Sequence, residues 1–346
     1  MGRQDSGNAA ARRSIMPTMA IVDLRQVTAR QLEPLLQEEA RFWREELHWD
    51  YRNSIEVIRR FVDARSLAGA AVLENGEPAG YTFYVIEEHK GLVGGLYVSQ
   101  RFPQEELAKQ LLGDVLSTLR GLPHISRIEA QLMPFGCPLD PALAFHGFRI
   151  SKRNFMLLDL KDAAAKRVGS AAGAAAGAPA TSGDGVHGAG LVLERWEQRH
   201  LNASARLIQL AYANHVDGEI NDQYRSESGA LKFLKNIILL PGCGLFYPEA
   251  SFVLRVPQAT ELTGIILTST VAPGVAHTTQ ICVMPGYQGH GLGSRLLSAS
   301  IQALVAHRYT ALSLTVTASN RQAARLYEQF GFRTVKTFAA GVWQAE

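Results

Sequence analysis

Three glycines in five residues, Gly289, Gly291 and Gly293, stand between a strand-like run, Thr278 to Met284, and a stretch in which Leu292, Leu296, Leu297, Ile301, Leu304 and Val305 recur at helical spacing. A strand that turns through glycines directly into a helix gathers the unpaired N–H groups of the first helical turn, and the positive end of the helix dipole, at one point. With no Cβ atoms in the turn, an anion can approach the backbone to hydrogen-bond distance. The segment therefore predicts a strand, a phosphate cradle and a helix in that order.

The flanking residues say which phosphate. A nucleotide-triphosphate loop needs Lys followed by Ser or Thr, but Gly291 is followed by Leu292. A dinucleotide fingerprint needs a sixth-position glycine, where Ser294 stands, and an acidic residue about 20 residues on that is absent. What remains is Gln-x-x-Gly-x-Gly, from Gln288 to Gly293. Downstream, Ala311 to Thr317 alternates as a strand and leads into Asn320-Arg321-Gln322-Ala323-Ala324-Arg325-Leu326-Tyr327-Glu328-Gln329-Phe330-Gly331-Phe332, with Asn320 at a helix N-cap position and Gly331 at a C-cap position.

These two segments, in this order and over roughly the last third of the chain, resemble the GNAT superfamily of N-acetyltransferases. The resemblance implies that Gln288, Gly289, His290, Gly291, Leu292, Gly293 and Ser294 hold the pyrophosphate of acetyl-CoA. It implies that the backbone of Ile281 and Val283 pairs with the pantetheine arm, which Asn320 also reaches, and that Tyr327 protonates the departing thiolate. The fold it implies is α/β, with a mixed, mostly antiparallel, splayed sheet flanked by helices. No metal is implied.

Between Lys161 and Gly190 the composition shifts to Ala, Gly, Ser and Pro, with almost nothing to fill a core, which reads as a linker. It divides the chain into an expected disordered tail over 1–19, a first domain over 20–161, the linker over 162–190 and a second domain over 191–346. Shifting the first half by about 185 residues lays Val98 on Val283, Leu111 and Leu112 on Leu296 and Leu297, and Gly147-Phe148 within one residue of Gly331-Phe332. A tandem duplication is the economical reading. In the first copy, Pro103, Glu106 and Ala108 replace the cradle, Leu143 stands near the place of Tyr327, and Gly94-Gly95 reads as a strand irregularity. The expectation is two tandem GNAT-like domains, a degenerate one and an active one, in a layout similar to that of mycothiol synthase.

Net charge is only +3, which points to no nucleic-acid or membrane surface, and no run is apolar and long enough to span a bilayer. Cys137, Cys243 and Cys282 make neither a disulfide framework nor a zinc pattern, which fits a reducing cytoplasm. A monomer or a homodimer is compatible with all of this.

Acetyl transfer needs a base or another exit for the amine proton. The strand from Ala276 to Val283 has no carboxylate, and His277 alternates onto the face of Ile281 and Val283, so it is the first candidate beside a purely structural histidine or proton loss to water. In His215 to Ser226, the residues Asp217, Glu219, Asp222 and Tyr224 can hold a cationic amine or form a solvated polar loop. The expected activity is acetyl transfer from acetyl-CoA to a small-molecule amine or a protein amino terminus. The alternative is a non-catalytic acyl-CoA sensor.

Overall fold

The computed structural model describes residues 19–161, 190–240 and 242–345. Residues 1–18 of the tail expected over 1–19, and 162–189 of the linker expected over 162–190, lie outside the described residues, while Met19 begins a strand.

The first half runs β1 (Met19–Asp23), α1 (Ala29–Leu47), α2 (Arg52–Asp63), β2 (Gly69–Glu74), β3 (Glu77–Glu87), β4 (Lys90–Val98), α3 (Gln104–Arg120), β5 (Arg127–Gln131), α4 (Asp140–Phe145) and β6 (Arg149–Asp159). The second runs β7 (Val192–Arg195), α5 (Leu201–Tyr212), α6 (Val216–Ile220), α7 (Glu227–Leu239), β8 (Leu245–Phe246), β9 (Phe252–Arg255), β10 (Leu262–Ala272), β11 (Val275–Val283), α8 (Leu292–Ala306), β12 (Ala311–Thr317), α9 (Arg321–Gln329) and β13 (Arg333–Gln344). The repeat is visible in these bounds: residues 90 and 98 of β4 and 275 and 283 of β11 differ by the same 185.

Local signals account for the elements around the cleft. α8 buries Leu292, Leu296, Leu297, Ser300, Ile301 and Leu304, the stripe read from the sequence less the half-buried Val305 and with one serine that bonds Thr268 Oγ1 at 3.1 Å. α9 begins where Asn320 Oδ1 accepts the Ala323 N–H at 3.1 Å, and it stops before Gly331, which takes a left-handed φ of 94°.

In each half the two central strands are parallel and pair only at their beginnings. β4 meets β5 from Lys90↔Arg127 to Val93↔Ala130, and β11 meets β12 from Val275↔Ala311 to Thr278↔Leu314. Beyond those residues the strands part, which opens a wedge in the sheet. Each inner strand also carries an irregularity at the corresponding place: the β3–β4 register skips Gly94, and the β10–β11 register skips Thr279. Gly94 is required there, because a Cβ would come within 2.2 Å of the Phe83 ring.

The halves are joined rather than merely adjacent. The sheet order is β1-β2-β3-β4-β5-β13-β6-β12-β11-β10-β9-β7, so β13 of the second half lies against β5 of the first, and β6 of the first lies against β12 of the second. Each half's last strand completes the other half's sheet. One hydrophobic core is shared as well, since Val271, Val275 and Phe338 pack with Leu32, Leu36, Trp49 and Tyr81.

Candidate active site

The wedge between β11 and β12 is a cleft of about 580 Å³, walled by Ile281, Cys282 and Val283 on one side and by α9 on the other, with the cradle at one end and Tyr212 and His215 at the other. Its construction begins at the end of β11. Gln288 Nε2 donates to the Val283 carbonyl at 3.1 Å, which ties the glycine loop back to the strand it leaves. Gly289 and Gly291 take φ of 79° and 74°, conformations that disfavour L side chains, and a Cβ on either would meet nothing within 4 Å. The glycines are thus required by the backbone, and the space beside them is open. No side chain caps α8, so its first-turn N–H groups are left for an anion. His290 folds back, with Nδ1 2.8 Å from the Gln288 carbonyl, and Leu292 turns into the core.

The first half keeps the tie but not the opening. Gln104 Nε2 donates to the Val98 carbonyl at 3.1 Å, the counterpart of the Gln288 contact, yet α3 then presents Glu105 and Glu106 in its first turn. The space left among Leu96, Val98, Met133, Phe135, Cys137 and Leu139 is about 10 Å³, no more than one water could fill.

The carbonyls of Ile281 and Val283 face the wedge, where they accept Tyr212 OH at 3.4 Å and Gln288 Nε2 at 3.1 Å. Cys282 lines the cleft but is buried, and burial pushes its thiol up to about 12, so it stays protonated and is no nucleophile at neutral pH. Tyr327 is also buried on the cleft wall, 5.9 Å from the Phe332 ring, and burial first, then the Asp217 carboxylate, raise its phenol. Asn320 has both expected roles open to it: Oδ1 caps α9, while Nδ2 lies at the cleft 3.3 Å from His215 Nε2.

Four other expected residues divide. Asp217 sits behind the cleft-lining His215, where it accepts from Thr317 Oγ1 and lies 3.5 Å from His215 Nδ1. Tyr224 stacks on Tyr212 with ring centroids 4.6 Å apart, so it supports the cleft from behind. Glu219 points away and pairs with Arg149 at 3.3 Å in solvent, and Asp222 is held by Lys90 of the first half. These last two are corrected: Glu219 leaves α6 on its solvent side, and Asp222, in the turn after α6, meets the first half instead of the cleft.

His277 is corrected too. It is buried away from the cleft between Trp49 and Phe155, with ring centroids at 5.1 and 5.7 Å, and its Nδ1 lies 2.8 Å from Ser313 Oγ. Alternation from His277 to Ile281 fails because Thr279 is an extra residue in β11, and one extra residue turns the strand over. Burial pushes its imidazole down from 6.5 to about 3. An unfolded chain therefore binds a proton between about pH 6.5 and 3 that the folded chain refuses, so stability falls as pH drops through that window. His277→Leu is expected to flatten the dependence of Tm on pH there while leaving the pH–rate profile unchanged; an altered acidic limb in the rate would return His277 to the chemistry.

His215 was passed over in sequence, although a histidine three residues after Tyr212 at a helix end is a legible cue. It caps α6, its Nδ1 accepting the Asp217 N–H at 3.1 Å, and it lines the cleft with Tyr327 and Asn320. Among the described residues no cluster of His, Cys, Asp or Glu could hold a metal ion, and no helix is long and apolar enough to cross a membrane.

Residues 219–332 match the model of the acetyltransferase (GNAT) family. Among solved structures, a GCN5-related N-acetyltransferase from Sphaerobacter thermophilus is similar with TM-score 0.63 and 14% identity, over 94% of this chain and 95% of that one. A tandem GNAT protein from the clavulanic acid biosynthesis pathway is similar with TM-score 0.59 and 14% identity, over 95% and 99%. A glucosamine N-acetyltransferase region of a fungal multi-domain β-N-acetylglucosaminidase is similar with TM-score 0.59 and 13% identity, over 95% of this chain and 38% of that one. No curated protein sequence matches. At these identities the likenesses bear on the fold, which is that of tandem GNAT domains.

Proposed function

We infer that this chain, whose second half carries a domain of the acetyltransferase (GNAT) family, transfers an acetyl group from acetyl-CoA to a primary amine by direct attack. The observation that carries the reading is the joint lining of one cleft by the open glycine cradle, Asn320 and Tyr327. The cradle fits a pyrophosphate, because positive-φ glycines, open space and an uncapped helix start coincide there. The carbonyls of Ile281 and Val283 would then meet the pantetheine arm as a further strand would. That placement brings a thioester toward Tyr327, whose buried phenol can donate a proton to sulfur.

Asp217 and the stacked Tyr212 and Tyr224 shape the other end for the amine. His215 replaces His277 as the imidazole lining the cleft, but its Nδ1 accepts the Asp217 N–H, which leaves the ring proton on Nε2, so the amine proton leaves to water. The chemistry lies in residues 191–346; residues 20–161, with their cradle closed, complete the sheet. The acceptor is a small-molecule amine or a peptide amino terminus.

A panel of polyamines, arylamines and peptides with free amino termini, scored by coenzyme A release from acetyl-CoA, tests the reading. Turnover with at least one amine is expected. Acetyl-CoA binding without any turnover would favour a sensor, and no binding would end both readings.

A further inference from the structure

We propose that Lys90 and Arg127 of the first half position the acceptor loop of the second half, residues 216–225, and thereby the amine end of the cleft. The proposal rests on the transferase reading for its functional consequence. α6 is a bridge. At one end His215 lines the cleft beside Asn320, and Asp217, next to His215, accepts from Thr317 Oγ1 of β12. At the other, the Arg127 guanidinium caps the helix by donating to the Glu219 carbonyl and, at 3.4 Å, to that of Ile220.

The residues that follow are fastened to the same place. Lys90 Nζ bonds the Asp222 carboxylate, and the Asp222 N–H donates to Glu129 Oε1 at 3.2 Å. Gln223 Nε2 donates to Glu87 Oε2 at 3.1 Å, and Arg127 Nε holds Glu129 at 2.6 Å. Lys90, Arg127 and Glu129 are all buried, with Arg127 Nη1 left without a hydrogen-bond partner, and burying ions in this way costs more than apolar packing.

The fold itself does not call for those charges. The strand pairings, Lys90↔Arg127 to Val93↔Ala130 in one half and Val275↔Ala311 to Thr278↔Leu314 in the other, make their counterparts Val275, Ala311 and Ser313, none of them charged. The ions occur where the acceptor loop docks and are replaced by small or aliphatic uncharged side chains where it does not. A half without an open cradle thus keeps a task in the reaction: fixing the loop that carries Asp217.

Lys90→Met and Arg127→Met in the full chain test this, with hydrogen exchange of the amides in 216–225, calorimetric acetyl-CoA affinity, and initial rates with tyramine and an alanyl tripeptide as acceptors. Faster exchange in 216–225 is expected, with an amine KM raised about ten- to a hundredfold, the size of a misplaced substrate contact, and an unchanged acetyl-CoA Kd. Unchanged exchange, or amine KM and acetyl-CoA Kd rising together, would overturn the anchor. If neither variant folds, Gln223→Ala, which removes only the amide to Glu87, takes their place with the same criteria. If the wild type turns over neither amine, the transferase reading fails with those acceptors, and the exchange measurement alone decides the anchor.

Discussion

Tyr327→Phe is expected to lower turnover by roughly a hundredfold, the size typical of losing one general acid, while acetyl-CoA affinity stays nearly intact. The ring remains to pack against Phe332, so the cleft keeps its wall. What disappears is the hydroxyl, which bonds no protein group among the described residues and faces the cleft that the cradle ends. Burial and the Asp217 charge both disfavour the phenolate, so this group is a donor throughout the neutral and mildly alkaline range. The sign matters for the pH–rate profile: a phenol raised above its ordinary value of about 10 cannot supply a basic limb near pH 8 or 9. Coenzyme A release at saturating acetyl-CoA, beside calorimetry on the same variant, separates the two effects. A full-rate phenylalanine enzyme would sink the assignment of Tyr327 as the thiolate's acid.

The cradle and α9 were legible in sequence because their signals are local: glycines where the backbone turns left-handed, Asn320 at a cap, Gly331 at an exit. Duplication was legible because whole elements recur at one spacing. The crossing of β6 and β13 was not. Both strands follow a Gly-Phe exit and both are amphipathic, and nothing within either strand distinguishes its own sheet from its sister's. This crossing has a practical consequence, since a chain cut at the linker would leave β12 without its β6 neighbour.

Asp222 illustrates another limit. Its partners Lys90 and Arg127 lie about 130 and 95 residues earlier, so an acidic loop that reads as substrate-binding becomes an anchor only once the fold brings those cations to it. His277 was misjudged for a more local reason, because a strand's alternation is a reliable guide only as far as its first bulge.

Gly291→Glu is expected to abolish acetyl-CoA binding, and the comparison with Gly291→Ala shows which physical term is responsible. Both substitutions place a Cβ on a residue with φ of 74°, a conformation that costs a non-glycine residue about 1–2 kcal/mol. Neither meets a steric wall, because the space next to this glycine is open. Alanine therefore measures backbone strain at the start of α8 and should weaken binding modestly. Glutamate adds a flexible carboxylate where a pyrophosphate belongs, and like charges at such a site cost several kcal/mol, at least about a hundredfold in affinity. It also competes for the first-turn N–H groups, since a carboxylate satisfies the same orphan donors that the phosphate would use. Calorimetry on both variants, with circular dichroism to confirm that α8 persists, gives the test. If glutamate binds acetyl-CoA as the wild type does, the pyrophosphate does not lie at this loop, and Tyr327 loses the geometric reason for its role, because the thioester's place is inferred from where the phosphates are held.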